Sequence, residues 1–183
     1  MRAAQKALAY VCGTASWGLT YRQENSISVK LFADADFAGD YDTRASTNGN
    51  VIMINGTAVY WESKKQKSVA QSSTEAEFVA YGHAAMAAAW MRKLLKELRI
   101  PNQEVTKLHY DNTGAGYWIQ DHQDFDRAKH IAVKYNYVRD EHRKGRIVLI
   151  HVPTKEMAAD VITKLLPRER FEWCREAIGM TAK

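Results

Sequence analysis

In the stretch SISVKLFA (26–33), apolar Ile27, Val29, Leu31 and Ala33 alternate with Ser28, Lys30 and Phe32. A period of two predicts a half-buried strand. The runs NVIMI (50–54) and AVYWES (58–63) flank Asn55-Gly56, a dipeptide that favours a tight primed turn, so they predict a β-hairpin. Three successive strands therefore span about residues 27–63. Residues 2–11, RAAQKALAYV, have a helical pattern that Gly13 ends.

A long helix follows the hairpin. Ser72 with Glu75 three residues later forms a capping box. From there Ala80, Ala84, Ala87, Met91, Leu94 and Leu98 recur at spacings of three and four, one apolar stripe. Continued backwards, the stripe lands on Glu77, an acid where an apolar residue is expected. VTKLHY (105–110) predicts a strand ending at Asp111-Asn112, with a short helix near 114–120. Residues 126–145 predict an amphipathic helix capped by Asp126 and stopped by Gly145. RIVLIHV (146–152) predicts a strand closed by Pro153, and Thr154 caps a helix through about Lys164. On that helix Asp160 shares a face with Met157 and Lys164. PRERFEWCREAI (167–178) predicts a further helix. The order βββ-α-β-α-β-α is that of an α/β chain with a mixed sheet and helices packed on it.

Composition changes this picture little. At 183 residues and 46% hydrophobic, the chain is long enough for one full core. No apolar run reaches the roughly 18 residues of a membrane helix, and the first residues carry no secretory pattern. Cys12 and Cys174 have no metal-like spacing and are expected to be free thiols. The net charge of +5 is compatible with a polyanionic partner without requiring one. Trp61 and Trp90 are expected in the core rather than as base-stacking platforms.

The acids carry more. KLFADADFAGDYD (30–42) places Asp34, Asp36, Asp40 and Asp42 within nine residues, where an apolar strand gives way to a turn. Asp34 and Asp111 end strands, while Glu77 and Asp160 lie on core-facing helix stripes. Taken singly, each is explained as a cap, a surface acid or one half of an ion pair. Glu75 is an example, since the capping box accounts for it. Four together, with no matching basic residues beside them, are costly to bury unless they bind a cation. Oxygen-only ligands suit Mg²⁺ or Mn²⁺. Two such ions about 4 Å apart serve phosphodiester hydrolysis.

The segments ADADFAGD, TRASTNG, WESKKQKSVAQSSTEAEFVA, DNTGA, RAKHI and HVPTKEMAADVITKLLPRERF together resemble the ribonuclease H domain of copia-type retrotransposon polyproteins. The resemblance covers about residues 27–180. It implies a ribonuclease H-like five-stranded mixed sheet over 26–165, preceded by the end of a reverse-transcriptase connection in 1–25 and followed by a C-terminal helix and tail in 166–183. It also implies that Asp34, Glu77, Asp111 and Asp160 hold two Mg²⁺ ions, with Mn²⁺ able to substitute. Asp34 would bridge both ions, Asp160 would stand on the water-activating side, and Glu77 and Asp111 on the other. Asp36, of the same strand parity, is the alternative to Asp34. The implied reaction is endonucleolytic cleavage of the RNA strand of an RNA–DNA hybrid during reverse transcription, beside a reverse transcriptase domain and with no membrane. The alternative is a fold that binds nucleic acid or acts as a scaffold without cutting. The implied location is the cytoplasm, in a virus-like particle if the element is live, or the nucleus.

The pattern also departs from that family. His151 lies nine residues before Asp160, with no room for the mobile histidine loop of cellular members, and reads as a strand-end residue. Ala132 and Asn136 stand where Asp and His are common, which leaves open that helix's part in substrate contact. Lys64, Lys65 and Lys67 are candidate phosphate contacts or simply a solvated turn. Arg127 and Lys129 are likewise an anion site or the wet face of a helix.

Overall fold

The computed structural model describes residues 2–24, 26–101, 105–120 and 136–182, with the side chains of residues 2 and 3 excepted. Helix α1 (Arg2–Gly13) leads into the short strand β1 (Trp17–Leu19). Strands β2 (Val29–Asp36), β3 (Thr47–Ile54) and β4 (Thr57–Lys65) form an antiparallel meander. Asn55 (φ 51°) and Gly56 (φ 83°) supply the two positive φ angles that a primed turn needs. Helix α2 (Ser73–Glu97) then crosses to β5 (Thr106–Tyr110), which lies parallel to β2. Helices α3 (Thr113–Gln120) and α4 (Tyr137–Arg143) precede β6 (Ile147–His151), parallel to β5. Helix α5 (Arg168–Ala177) and strand β7 (Met180–Ala182) follow.

The main sheet has five strands in the order β4-β3-β2-β5-β6, mixed as the sequence pattern predicts. One face packs on α2, burying Leu31, Ala33, Ile52, Phe78, Ala84 and Leu108. The buried side of α2 runs through Ala80, Ala84, Ala88, Met91 and Leu95, while Leu98 is exposed. A second core, around Val51, Met53, Met157 and Ala159, fills the other face. Among the described residues, no helix is long and apolar enough to cross a membrane.

Three local expectations need correction. Residues 154–164 do not form one helix but two 3₁₀ turns, Thr154–Glu156 and Ala158–Ile162. Between them Met157 is extended (φ −77°, ψ 99°) and fully buried in the second core. The Thr154, Lys155 and Met157 carbonyls accept from Arg170 of α5, a tertiary contact that replaces helical bonding. Trp61 and Trp90 are not core residues: they are 58% and 51% exposed, because β4 is an edge strand and Trp90 lies towards solvent on α2. Lys64 and Lys65 belong to β4 itself rather than to a turn after it. Asp126, Arg127, Lys129 and Ala132 lie outside the described residues. Beyond the predicted elements, β1 and β7 pair as a separate two-stranded antiparallel sheet.

Candidate active site

Three elements bring three acids together. Asp34 comes from β2, where the parallel strand β5 runs alongside, and Asp111 follows the last residue of β5. Glu77 comes from the first turns of α2, whose entry is fixed by the predicted cap. The Glu75 amide donates to Ser72 Oγ at 3.1 Å, and Glu75 Oε2 accepts from the Gln71 amide at 2.9 Å. Asp34, Glu77 and Asp111 each offer a carboxylate oxygen within 4.8 Å of the others. Among the described residues, no other group of three or more histidine, cysteine or acidic side chains converges in this way.

Burial makes the cluster electrostatically expensive. Burial first, then the Asp34 and Asp111 charges, push the Glu77 carboxyl up to about 9, partly countered by a hydrogen bond from the Ala35 amide. Asp34 is also raised, chiefly by burial, against the lowering influence of Lys164 and the Thr163 hydroxyl. Glu77 Oε2 is buried without a hydrogen-bond partner. Directly above, Tyr81 is fully buried, and burial and the Glu77 charge raise its phenol well beyond the ordinary value. A divalent cation fits this donor set: three hard oxygens converge, and one buried oxygen lacks a partner.

Asp160, the fourth predicted acid, is buried beside Asp34 but outside that group of three. Lys164 Nζ lies 3.3 Å from Asp34 Oδ1 and 2.9 Å from Asp160 Oδ1. Burial disfavours that ammonium, but the two carboxylates outweigh the penalty and raise it above the ordinary lysine value. Arg170 Nη2 holds Asp160 Oδ2 at 2.9 Å. The expectation that the acids lack basic neighbours is thus wrong for Asp34 and Asp160, because Lys164 lies between them and α5 brings Arg170 back against Asp160. The Thr163 hydroxyl donates to Asp34 Oδ2. Its approach depends on Gly49, the β3 partner of Asp34: a β-carbon there would overlap the Thr163 and Ile162 side chains.

Of the remaining predicted residues, Asp36 turns its carboxylate onto Gly39 in the following turn, which leaves Asp34 as the strand's contribution to the cluster. His151 is the last residue of β6, and its Nε2 lies 3.2 Å from the Asp111 carbonyl oxygen, bracing the backbone that carries Asp111. Asn112 Oδ1 accepts from the Ala115 amide at 2.9 Å, starting α3 immediately after the acid. Asn136 directly precedes α4. Lys64 and Lys65 lie on β4, separated from β2 by β3. Lys65 is ion-paired with Asp40, Lys64 is 3.8 Å from Glu62, and Lys67 is exposed. Sequence reasoning missed the roles of Thr163, Lys164, Arg170 and Gly49. The four-residue spacing of Asp160 and Lys164 was a signal that the two could pair.

The five-stranded mixed sheet with helices packed on it is that of the ribonuclease H fold. The chain superposes on the N-terminal ribonuclease H domain of a Mycobacterium tuberculosis protein with a TM-score of 0.55 at 11% identity, over 83% of this chain and 99% of that one. It superposes on LC11-RNase H1, solved in complex with an RNA/DNA hybrid, with a TM-score of 0.52 at 14% identity, over 74% and 94%. In sequence it is homologous to a segment of a transposon polyprotein: it is 35% identical over 181 residues to the retrovirus-related Pol polyprotein of transposon RE1 from Arabidopsis thaliana. That match takes in 99% of this chain and 12% of the polyprotein. No family model matches. The motif resemblance to a transposon-polyprotein ribonuclease H domain is thereby borne out, in fold and in relatives.

Proposed function

We propose that this chain is the ribonuclease H domain of a retrotransposon Pol polyprotein, hydrolysing the RNA strand of RNA–DNA hybrids with two divalent cations. The observation that carries the proposal is the convergence of Asp34, Glu77 and Asp111 in a ribonuclease H fold, with one Glu77 oxygen left unpartnered. Asp34, Glu77 and Asp111 would hold one Mg²⁺ or Mn²⁺, and Asp34 with Asp160 the other. Such ions would supply the charge that lets the buried acids ionise, lower the pKa of a bound water, and neutralise the leaving oxygen.

The chain's own groups hold that arrangement ready. The Ala35 amide and Thr163 hydroxyl fix Glu77 and Asp34, while Arg170 fixes Asp160. In the reaction a water oxygen attacks the scissile phosphorus, the bond from phosphorus to the ribose 3′ oxygen breaks, and the products are a 3′-hydroxyl and a 5′-phosphate. The ribose 2′-hydroxyl is the group by which such a site distinguishes RNA from DNA. Lys64 of β4 and Lys67 just after it, both exposed, would contact phosphates, which would show as a salt-dependent affinity. A neighbouring reverse transcriptase, as the Pol relatives suggest, would supply further hybrid affinity.

The test is cleavage of a labelled RNA–DNA hybrid in Mg²⁺ or Mn²⁺, with single-stranded RNA and Asp34→Asn as controls. Cleavage confined to the hybrid and abolished in Asp34→Asn is the expected result. Hybrid binding without cleavage in either ion would overturn it in favour of a scaffold.

A further inference from the structure

On the nuclease reading above the site would take two cations, and a cation of the protein's own lies where the second would bind. The first lies among Asp34, Glu77 and Asp111. The second lies between Asp34 and Asp160, where Lys164 Nζ sits 3.3 Å from one carboxylate and 2.9 Å from the other. We propose that the Lys164 ammonium is the resident occupant of the second position, and that loading a metal ion there requires its displacement. This rests on the metal-dependent nuclease reading above.

Three features support displacement rather than permanent residence or coexistence. Asp160 cannot turn aside to offer a free oxygen, because Arg170 holds Oδ2 and is itself anchored by the Thr154, Lys155 and Met157 carbonyls. An incoming ion must therefore take Oδ1, the oxygen Lys164 faces. That oxygen is buried, and the ammonium 2.9 Å away is the partner an incoming ion would have to replace. Lys164 also has a way out. Its side chain is 31% exposed, and the four-carbon stem of a lysine carries a compact charge that rehydrates readily. Until it leaves, its charge offsets the repulsion between Asp34 and Asp160, so the metal-free site remains assembled.

The ammonium acts as a toll on the second ion only: apparent affinity falls by the fraction of molecules in which it has swung clear. Mn²⁺ titration of the full chain, read by calorimetry and by the EPR signal of free Mn²⁺, tests this. Wild type should bind one ion well and a second weakly. In Lys164→Met the second should tighten about tenfold or more, with a smaller change in the first. Lys164→Arg, which keeps a cation, should leave the second weak. If Lys164→Met does not fold without metal, Lys164→Gln carries the same expectation.

An unchanged or weaker second ion in the neutral variant overturns the proposal and makes Lys164 a structural support for Asp160. Equal tightening of both ions also overturns it, as the general effect of one lost positive charge. Asp111→Asn separates this failure from failure of the nuclease reading, since it should remove the first ion only. A wild type that binds no Mn²⁺, with Asp111→Asn no different, overturns both.

Discussion

Glu77 interrupts the apolar stripe of α2, and its place in the cluster follows from that interruption. Unfolded, it ionises near its ordinary value of 4.5; folded, burial and the Asp34 and Asp111 charges move it to about 9. Between those values the folded chain keeps a proton that the unfolded chain has released. The group's contribution to stability is therefore full below the lower value and lost progressively as pH rises towards the upper one. Asp34, also shifted upward, steepens the same slope. The metal-free melting temperature should fall steadily from about pH 5 to pH 9, and Glu77→Gln, neutral throughout, should flatten the fall. An equally steep fall in that variant would remove Glu77 as its source. Because ligation needs the proton released, Mg²⁺ should raise the melting temperature of wild type more at pH 8 than at pH 6. The four acids could be singled out from sequence because Asp34 and Asp111 end strand patterns while Glu77 and Asp160 stand on apolar stripes. Lys164 offers only its four-residue spacing from Asp160, and Arg170 breaks no pattern. A basic residue on a polar face is ordinary, and the pattern does not say that the next helix folds back to place it on an acid.

At the level of elements, the strongest periodicities were the most legible. The Asn55-Gly56 hairpin and the capped start of α2 follow from local signals agreeing with tertiary ones. Residues 154–164 show where such signals lose. Their spacing is helical, yet burying Met157 and binding the Arg170 guanidinium stabilise two short turns instead. Those turns set Thr163 over Gly49, and thereby over Asp34. Gly49→Ala should push this segment off the sheet, costing about 1–3 kcal/mol of stability in chemical denaturation, as overpacking does. It should also weaken Mn²⁺ binding, since Asp34 loses its Thr163 hydrogen bond while keeping its carboxylate. Native stability in Gly49→Ala would show that the turns yield without strain and that Gly49 does not place Thr163.

Across the whole molecule, the first and last described segments close on each other away from the acids. β1 pairs with β7, and Arg175 of α5 stacks on Trp17 at 3.6 Å. Thr57 Oγ1 donates to the Thr20 carbonyl at 2.7 Å, and Tyr21 donates to the Ala58 carbonyl at 2.9 Å. Gly179, at φ 91°, allows the close pass over Thr57 that brings β7 to β1. Together these cover the second core and border a half-open apolar cleft of about 280 Å³ lined by Tyr10, Leu19, Val51, Trp61, Phe171 and Ile178. None of this was legible in the sequence: a three-residue strand carries too little periodicity, and its partner lies more than 160 residues away. β1 and β7 thus share one clasp although they lie at opposite ends of the sequence. Deleting residues 1–25 should lower the melting temperature and increase binding of a dye for exposed apolar surface, because Leu19 and β1 no longer cover Met53 and Ala58. First-ion Mn²⁺ affinity should survive, since Asp34, Glu77 and Asp111 are carried by β2, α2 and the end of β5, which the deletion leaves in place. Loss of that affinity in a still-folded deletion variant would mean that the clasp orders the site from a distance, through the segment that carries Asp160 and Lys164.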